Sequence, residues 1–124
     1  MSPQPFAVQS IDHVVLTVAS IQATVAFYTK HLGMAHETFV SGEGIERHAL
    51  KFGSQKINLH LSGHEFEPKA SRVQPGSGDL CFITQHPIDD VLALWKGVGI
   101  EVSAISYTIY HLIVPTSCSK AHIL

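Results

Sequence analysis

An α+β fold of paired βαβββ modules, the second incomplete, is predicted by three features of this 124-residue chain. The first is an internal repeat: slid by 66 positions, residues 13–33 lie without a gap on residues 79–99. Val25 then meets Val91, Lys30 meets Lys96 and Gly33 meets Gly99. The second is a change of hydrophobic period inside each copy, from strand-like alternation to a helical stripe. The third is a series of three further extended segments after the first copy.

Val14, Leu16 and Val18 alternate with His13, Val15 and Thr17, as in a strand with one face on a core. Ser20 is an N-cap residue, and Ile21, Val25, Tyr28 and Leu32 then recur on one helical stripe. Gly33 suits the position just past the helix, where a left-handed backbone is wanted. Residues 34–40 are extended and lead to a turn over 41–44; residues 45–52 follow, closed by Gly53; residues 56–61 run into Gly63. In the second copy Pro87 takes the first helical position, and Asp89 and Asp90 complement the dipole of the first turn. Ile88, Val91, Trp95 and Val98 make its buried stripe, and Gly97 and Gly99 end it. The expected organisation is an N-terminal extension (1–10), a first module (11–62), a linker (63–77), the start of a second module (78–103) and an atypical tail (104–124).

Eight Lys and Arg against ten Asp and Glu leave a net charge of −2, so the chain has no electrostatic footprint for nucleic acid or an anionic membrane. An apolar content of 45% with 15% charged residues is globular composition. No window approaches the roughly 18 apolar residues of a membrane span. Residues 1–10 carry no basic residue and no apolar core, as neither a secretory signal nor a transit peptide would. Cys81 and Cys118 make no disulfide framework and read as free thiols in a reducing compartment. A soluble, cytoplasmic protein is expected. GxGxxG, phosphate-loop, GxSxG and CxxC patterns are all absent.

The nine histidines are the unusual feature. If Val14, Leu16 and Val18 pack under the helix, His13 points to the opposite face. Ile57, Leu59 and Leu61 then send Asn58 and His60 to that same face, and the repeat puts Asp79 in the place of His13. His13, Asn58, His60 and Asp79 thus form one constellation drawn from separate strands. Two imidazoles and a carboxylate suit a divalent ion such as zinc, nickel, manganese or iron. Each also has an ordinary explanation: a strand histidine hydrogen-bonded within the fold, or an aspartate capping a turn beside Gly78. His31, His36, His48, His64, His86, His111 and His122 read as surface or structural residues. Glu46 and Arg47 read as a solvated strand edge, and Tyr28 as part of the buried helix stripe.

The residues Asp12-His13-Val14-Val15-Leu16-Thr17-Val18, Ala26-Phe27-Tyr28 and Leu32-Gly33-Met34 resemble the opening of the vicinal oxygen chelate superfamily. That superfamily includes glyoxalase I, bleomycin-resistance proteins, fosfomycin-resistance enzymes and extradiol dioxygenases. Residues 55–60 (Gln-Lys-Ile-Asn-Leu-His), 65–70 and 79–84 resemble in particular the small glyoxalase domain-containing protein 5 type. The resemblance covers residues 10 to about 103. It implies modules curled around a metal that binds a small molecule through neighbouring oxygens and stabilises an oxyanion in a lyase or isomerase reaction. His13 matches the first ligand position, Asn58 stands where many members carry a carboxylate, and Asp79 falls where histidine is commoner. A homodimer is implied in the same way.

After Ser103 the chain departs from that pattern. Between residues 104 and 124 Lys120 is the one charged residue, and no strand bearing a Glu ligand follows. The expectation is a replaced ending, from an alternative exon or shifted frame, with Ile105, Tyr107, Ile109 and Leu112 to Val114 forming one strand or a frayed apolar segment. It implies a metal-dependent lyase or isomerase impaired in this chain. The alternatives are a non-catalytic small-molecule binding module or an unproductive variant.

Overall fold

A run rich in β-branched residues, His-Val-Val-Leu-Thr-Val, gives β1 (His13–Val18), and its end at Ala19 and Ser20 opens α1 (Ile21–Leu32). In the computed structural model, which describes Ser2, residues 4–101 and the backbone of 119–123, Ser20 is the N-cap and its hydroxyl accepts from the Ala23 N–H. Gly33 ends the helix at φ 66°, and the Met34 N–H closes back on the Tyr28 carbonyl at 3.2 Å. Both caps fall where the sequence puts them. Three strands follow: β2 (Ala35–Val40), β3 (Glu46–Phe52) and β4 (Gln55–Leu61).

These strands form one sheet in the order β1-β4-β3-β2, with β1 parallel to β4 and the other pairs antiparallel. Register decides which side chains share a face. Leu50 is paired with Ile57 and Leu16 with Leu59, so these four residues lie on one face. Leu50 and Ile57 are 0% exposed and Leu59 is also buried. The helix α1 packs on β2, β3 and β4, and its Tyr28 is buried with them. The βαβββ order of the first module is therefore present.

The chain divides into two units, Met1–Pro75 and Gly76–Leu124. In the second, β5 (Leu80–Thr84) is followed by α2 (Ile88–Gly97). A third element, β6 (Ser119–Ile123), pairs antiparallel with β5, Phe82 opposite Ala121. Pro87 is the N-cap of α2 instead of its first helical residue, because its extended ψ of 135° lies outside the helical range. Val98 lies beyond the helix and is exposed, so the buried stripe stops at Trp95. The proposed strand around 105–114 and Cys118 lie outside the described residues; Cys81 is a free, exposed thiol. No helix among the described residues is long and apolar enough to cross a membrane.

Candidate functional site

The face of the first sheet away from Leu50 and Ile57 carries the polar residues. Register places His13 opposite Lys56, Val15 opposite Asn58 and Thr17 opposite His60. On β3, Ala49 is opposite Asn58, and the next step of the same face brings Arg47 alongside His60. Thr17, His60 and Arg47 thus form a row across three neighbouring strands, with Asn58 one row away beside Ala49. The shared face expected for His13, Asn58 and His60 is present.

Convergence of the two histidines is not. His13 stands four residues along the strand from the row of His60, about 13 Å at 3.3 Å per residue. Its ring is directed at a neighbour: His13 Nδ1 lies 2.7 Å from Asp12 Oδ2, with the His13 side chain 43% exposed. That hydrogen bond holds the Asp12 carboxyl below its ordinary value. Asp79 is exposed and belongs to the second unit. Among the described residues no group of three His, Cys, Asp or Glu side chains is placed to hold a metal ion. Moreover, the charged group closest in influence to His60 is the Arg47 guanidinium, which repels a cation. The donors of the first unit do not fit a chelated divalent ion.

What surrounds His60 is a different arrangement. The residue is 5% exposed, and burial first, then Arg47, hold its imidazole below the ordinary value; Glu65 and Glu67 oppose this. The segment after β4 folds back over this face. Phe66 meets the His60 ring edge-on at 5.4 Å between centroids, and the Arg47 guanidinium carbon lies 4.0 Å above the same Phe66 ring. Glu65 fixes the turn that delivers Phe66 by accepting the Gly63 N–H at 3.0 Å. Arg47, read from the sequence as a solvated edge residue, is instead held under an aromatic ring; Glu46, its neighbour, is exposed as expected.

Four buried polar atoms here have no hydrogen-bond partner among the described residues: Thr17 Oγ1, Arg47 Nε, Asn58 Oδ1 and His60 Nδ1. A fifth such atom, Ser41 Oγ, lies in the turn between β2 and β3. Buried polar groups are nearly always satisfied, and leaving one unmade costs about 1–3 kcal/mol. Four such atoms on one face single it out among the described residues. The sequence signal for Asn58 and His60 was strand parity. The same parity puts Thr17 on the face of His13, whereas Arg47 carried no signal, since its surroundings depend on a phenylalanine beyond the end of β4.

Of the other histidines of the first unit, His31, His36 and His48 stay outside this site; His111 and the His122 side chain lie outside the described residues. His36 and His48 stack on the opposite face, 5.2 Å between ring centroids, with His36 Nε2 3.0 Å from His48 Nδ1. His31 packs edge-on against Phe27. The His86 N–H donates to Thr84 Oγ1 before α2.

The first unit is thus a four-stranded sheet with one helix-covered face and one polar face. The sequence profile of the Glyoxalase/Bleomycin resistance protein/Dioxygenase superfamily matches residues 10–111, and the chain belongs to that superfamily. It is 52% identical over 95 residues to virulence protein STM3117 of Salmonella typhimurium, a match covering 77% of this chain and 63% of that protein. It is 50% identical over 96 residues to glyoxalase domain-containing protein RDO1 of Mycosarcoma maydis, covering 77% of this chain and 52% of that protein. The chain therefore spans less than two thirds of either relative. The crystal structure of STM3117 superposes with a TM-score of 0.71 at 46% identity, over 82% of this chain and 77% of that one. A protein from the mobile metagenome of V. Pseudocholerae gives 0.73 at 48% identity, over 81% and 74%. Lactoylglutathione lyase from Agrobacterium tumefaciens, at 20% identity and a TM-score of 0.53 over 84% and 78%, shares the fold.

Proposed function

We propose that this chain is a small-molecule binding module of its superfamily, which holds an oxygen-rich ligand on the polar face of the first sheet. The observation that carries this reading is the set of buried polar atoms on Thr17, Arg47, Asn58 and His60 that have no partner among the described residues, with Phe66 against His60 and Arg47. A ligand supplying their missing partners recovers the desolvation cost that the empty face bears. The metal-dependent lyase or isomerase activity expected from the resemblance finds no support in the donors described, since His13 and His60 stand four residues apart along their strands. The likeness to glyoxalase domain-containing proteins, at 50% identity to one of them, is part of this reading and supplies no substrate.

Amide chemical-shift mapping with a library of small polar fragments tests it. Binding fragments are expected to shift the Thr17, Arg47, Asn58 and His60 amides and to leave the His36 and His48 amides unmoved. If no fragment perturbs the face, the binding role is lost.

A further inference from the structure

We infer that His36 and His48 form a proton-operated latch at the edge of the first sheet: one proton shared between their rings ties β2 to β3, and a second proton releases it.

Register makes the two residues diagonal neighbours. His36 stands opposite Leu50 and Thr38 opposite His48, so both histidines lie on the face that carries Leu50, away from Arg47 and His60. His36 Nε2 is 3.0 Å from His48 Nδ1, with the ring planes 14° apart. A bond between two ring nitrogens needs an N–H on one and a lone pair on the other. Glu46, two residues before His48 on the same face, places Oε1 3.5 Å from His48 Nε2 and favours a proton there. In the neutral pair His48 Nδ1 is therefore the acceptor, and His36 donates from Nε2. One added proton leaves the bond intact, makes it charge-assisted and sets the charge beside the Glu46 carboxylate. A second proton puts an N–H on both facing nitrogens. The bond then cannot exist.

The surroundings do not neutralise that second charge. Among the described residues of the four strands, Glu46 is the one acid on this face, and the residues of β4 on it, Ile57, Leu59 and Leu61, are apolar. Glu37, Arg47, Lys51, Lys56 and His60 lie on the other face, and Glu43 is in the turn after β2. The helix α1, packed on β2 and β3, brings Lys30 and His31 in its last turn, both basic.

Losing one link matters at β2 because few others hold it. All six of its residues are exposed, and it ends the sheet order, paired with β3 alone. A second side-chain tie to β3, Lys51 Nζ to Glu37 Oε1 at 3.4 Å, is on the opposite face and exposed. An edge strand with so little buried surface opens before the strands behind it. Imidazoles change charge between about pH 5 and 8, so the release falls on the acid side of neutrality.

NMR of the full chain with isotope-labelled histidine tests the latch. A nitrogen–nitrogen coupling across the His36–His48 bond is expected at about pH 7 and should vanish at about pH 4.5. Over the same interval, protection of the β2 amides from hydrogen exchange should fall about tenfold more than that of the β4 amides. In His36→Gln, whose side chain takes up no proton in this range, the extra loss at β2 should disappear. Absence of the coupling at both pH values overturns the inference, and so does its persistence in acid. Protection of β2 that merely follows β4, or an extra loss that survives in His36→Gln, overturns it as well.

Discussion

His60 is buried beside a guanidinium, and its imidazole is held below the ordinary value of 6.5, by burial first and Arg47 second. As pH falls, the unfolded chain therefore takes up this proton before the folded one. The difference in stability is absent above pH 6.5 and grows as pH drops below it towards the folded value, so the protein loses stability in that window. Urea unfolding at about pH 7.5 and about pH 5.5 should show this loss, and His60→Gln should reduce it. An unchanged slope in the variant would contradict the assignment. Asp12, whose carboxyl is lowered by the His13 hydrogen bond, acts at lower pH: its contribution is full above 3.8 and lost as pH falls through the depressed value. Legibility in the sequence was uneven at this scale. His60 and Asn58 were readable because alternation in β4 fixes which residues face away from Ile57 and Leu59. Arg47 was not. It sits between Glu46 and His48, which looks like an exposed strand edge, and its burial is set by Phe66 from beyond the end of β4.

Elements were more legible than contacts, because caps and periods are local. Ser20 and Gly33 bound α1 as their chemistry requires, and the order of β1 to β4 around that helix followed from alternation and turn residues. Ser20→Ala removes the oxygen that accepts the Ala23 N–H and should cost about 1 kcal/mol, read by chemical denaturation. Gly33→Ala should cost a similar amount, about 1 kcal/mol, because a Cβ at φ 66° is strained although no atom lies within 4 Å of it. Leu50→Ala should cost more, about 2–5 kcal/mol, since Leu50 is 0% exposed and leaves a cavity against Ile57. A Leu50 variant no weaker than the two cap variants would place the core elsewhere. The start of α2 was misplaced by one residue: proline fits both the N-cap and the first helical position, and ψ alone decides between them.

At the scale of the molecule, the repeat of residues 13–33 in 79–99 pointed to an α+β fold and the motifs of residues 12–34 to the superfamily, while the metal centre implied with it depended on distances that parity cannot give. Alternation says that His13 and His60 share a face; only the β1–β4 register says that they stand at different ends of it. The two units also differ in how much structure protects them. Among the described residues the first has a four-stranded sheet with Leu50, Ile57 and Leu59 buried, whereas in the second a two-stranded sheet accompanies α2, with Ile88 buried. Amide hydrogen exchange should therefore be slowest in β3 and β4 and faster in β5. The reverse order would mean that stability is centred in the second unit.

The central claim is that the polar face is kept unpaired for a ligand and lowers the stability of the ligand-free protein. Thermal and chemical unfolding of Thr17→Val tests it most directly, because valine keeps the shape of threonine and removes one unpaired hydroxyl. The variant should be more stable than the parent by about 1 kcal/mol and give weaker amide shifts with the polar fragments that bind the parent. A less stable variant that binds those fragments as the parent does would show that the hydroxyl serves the fold instead of a ligand.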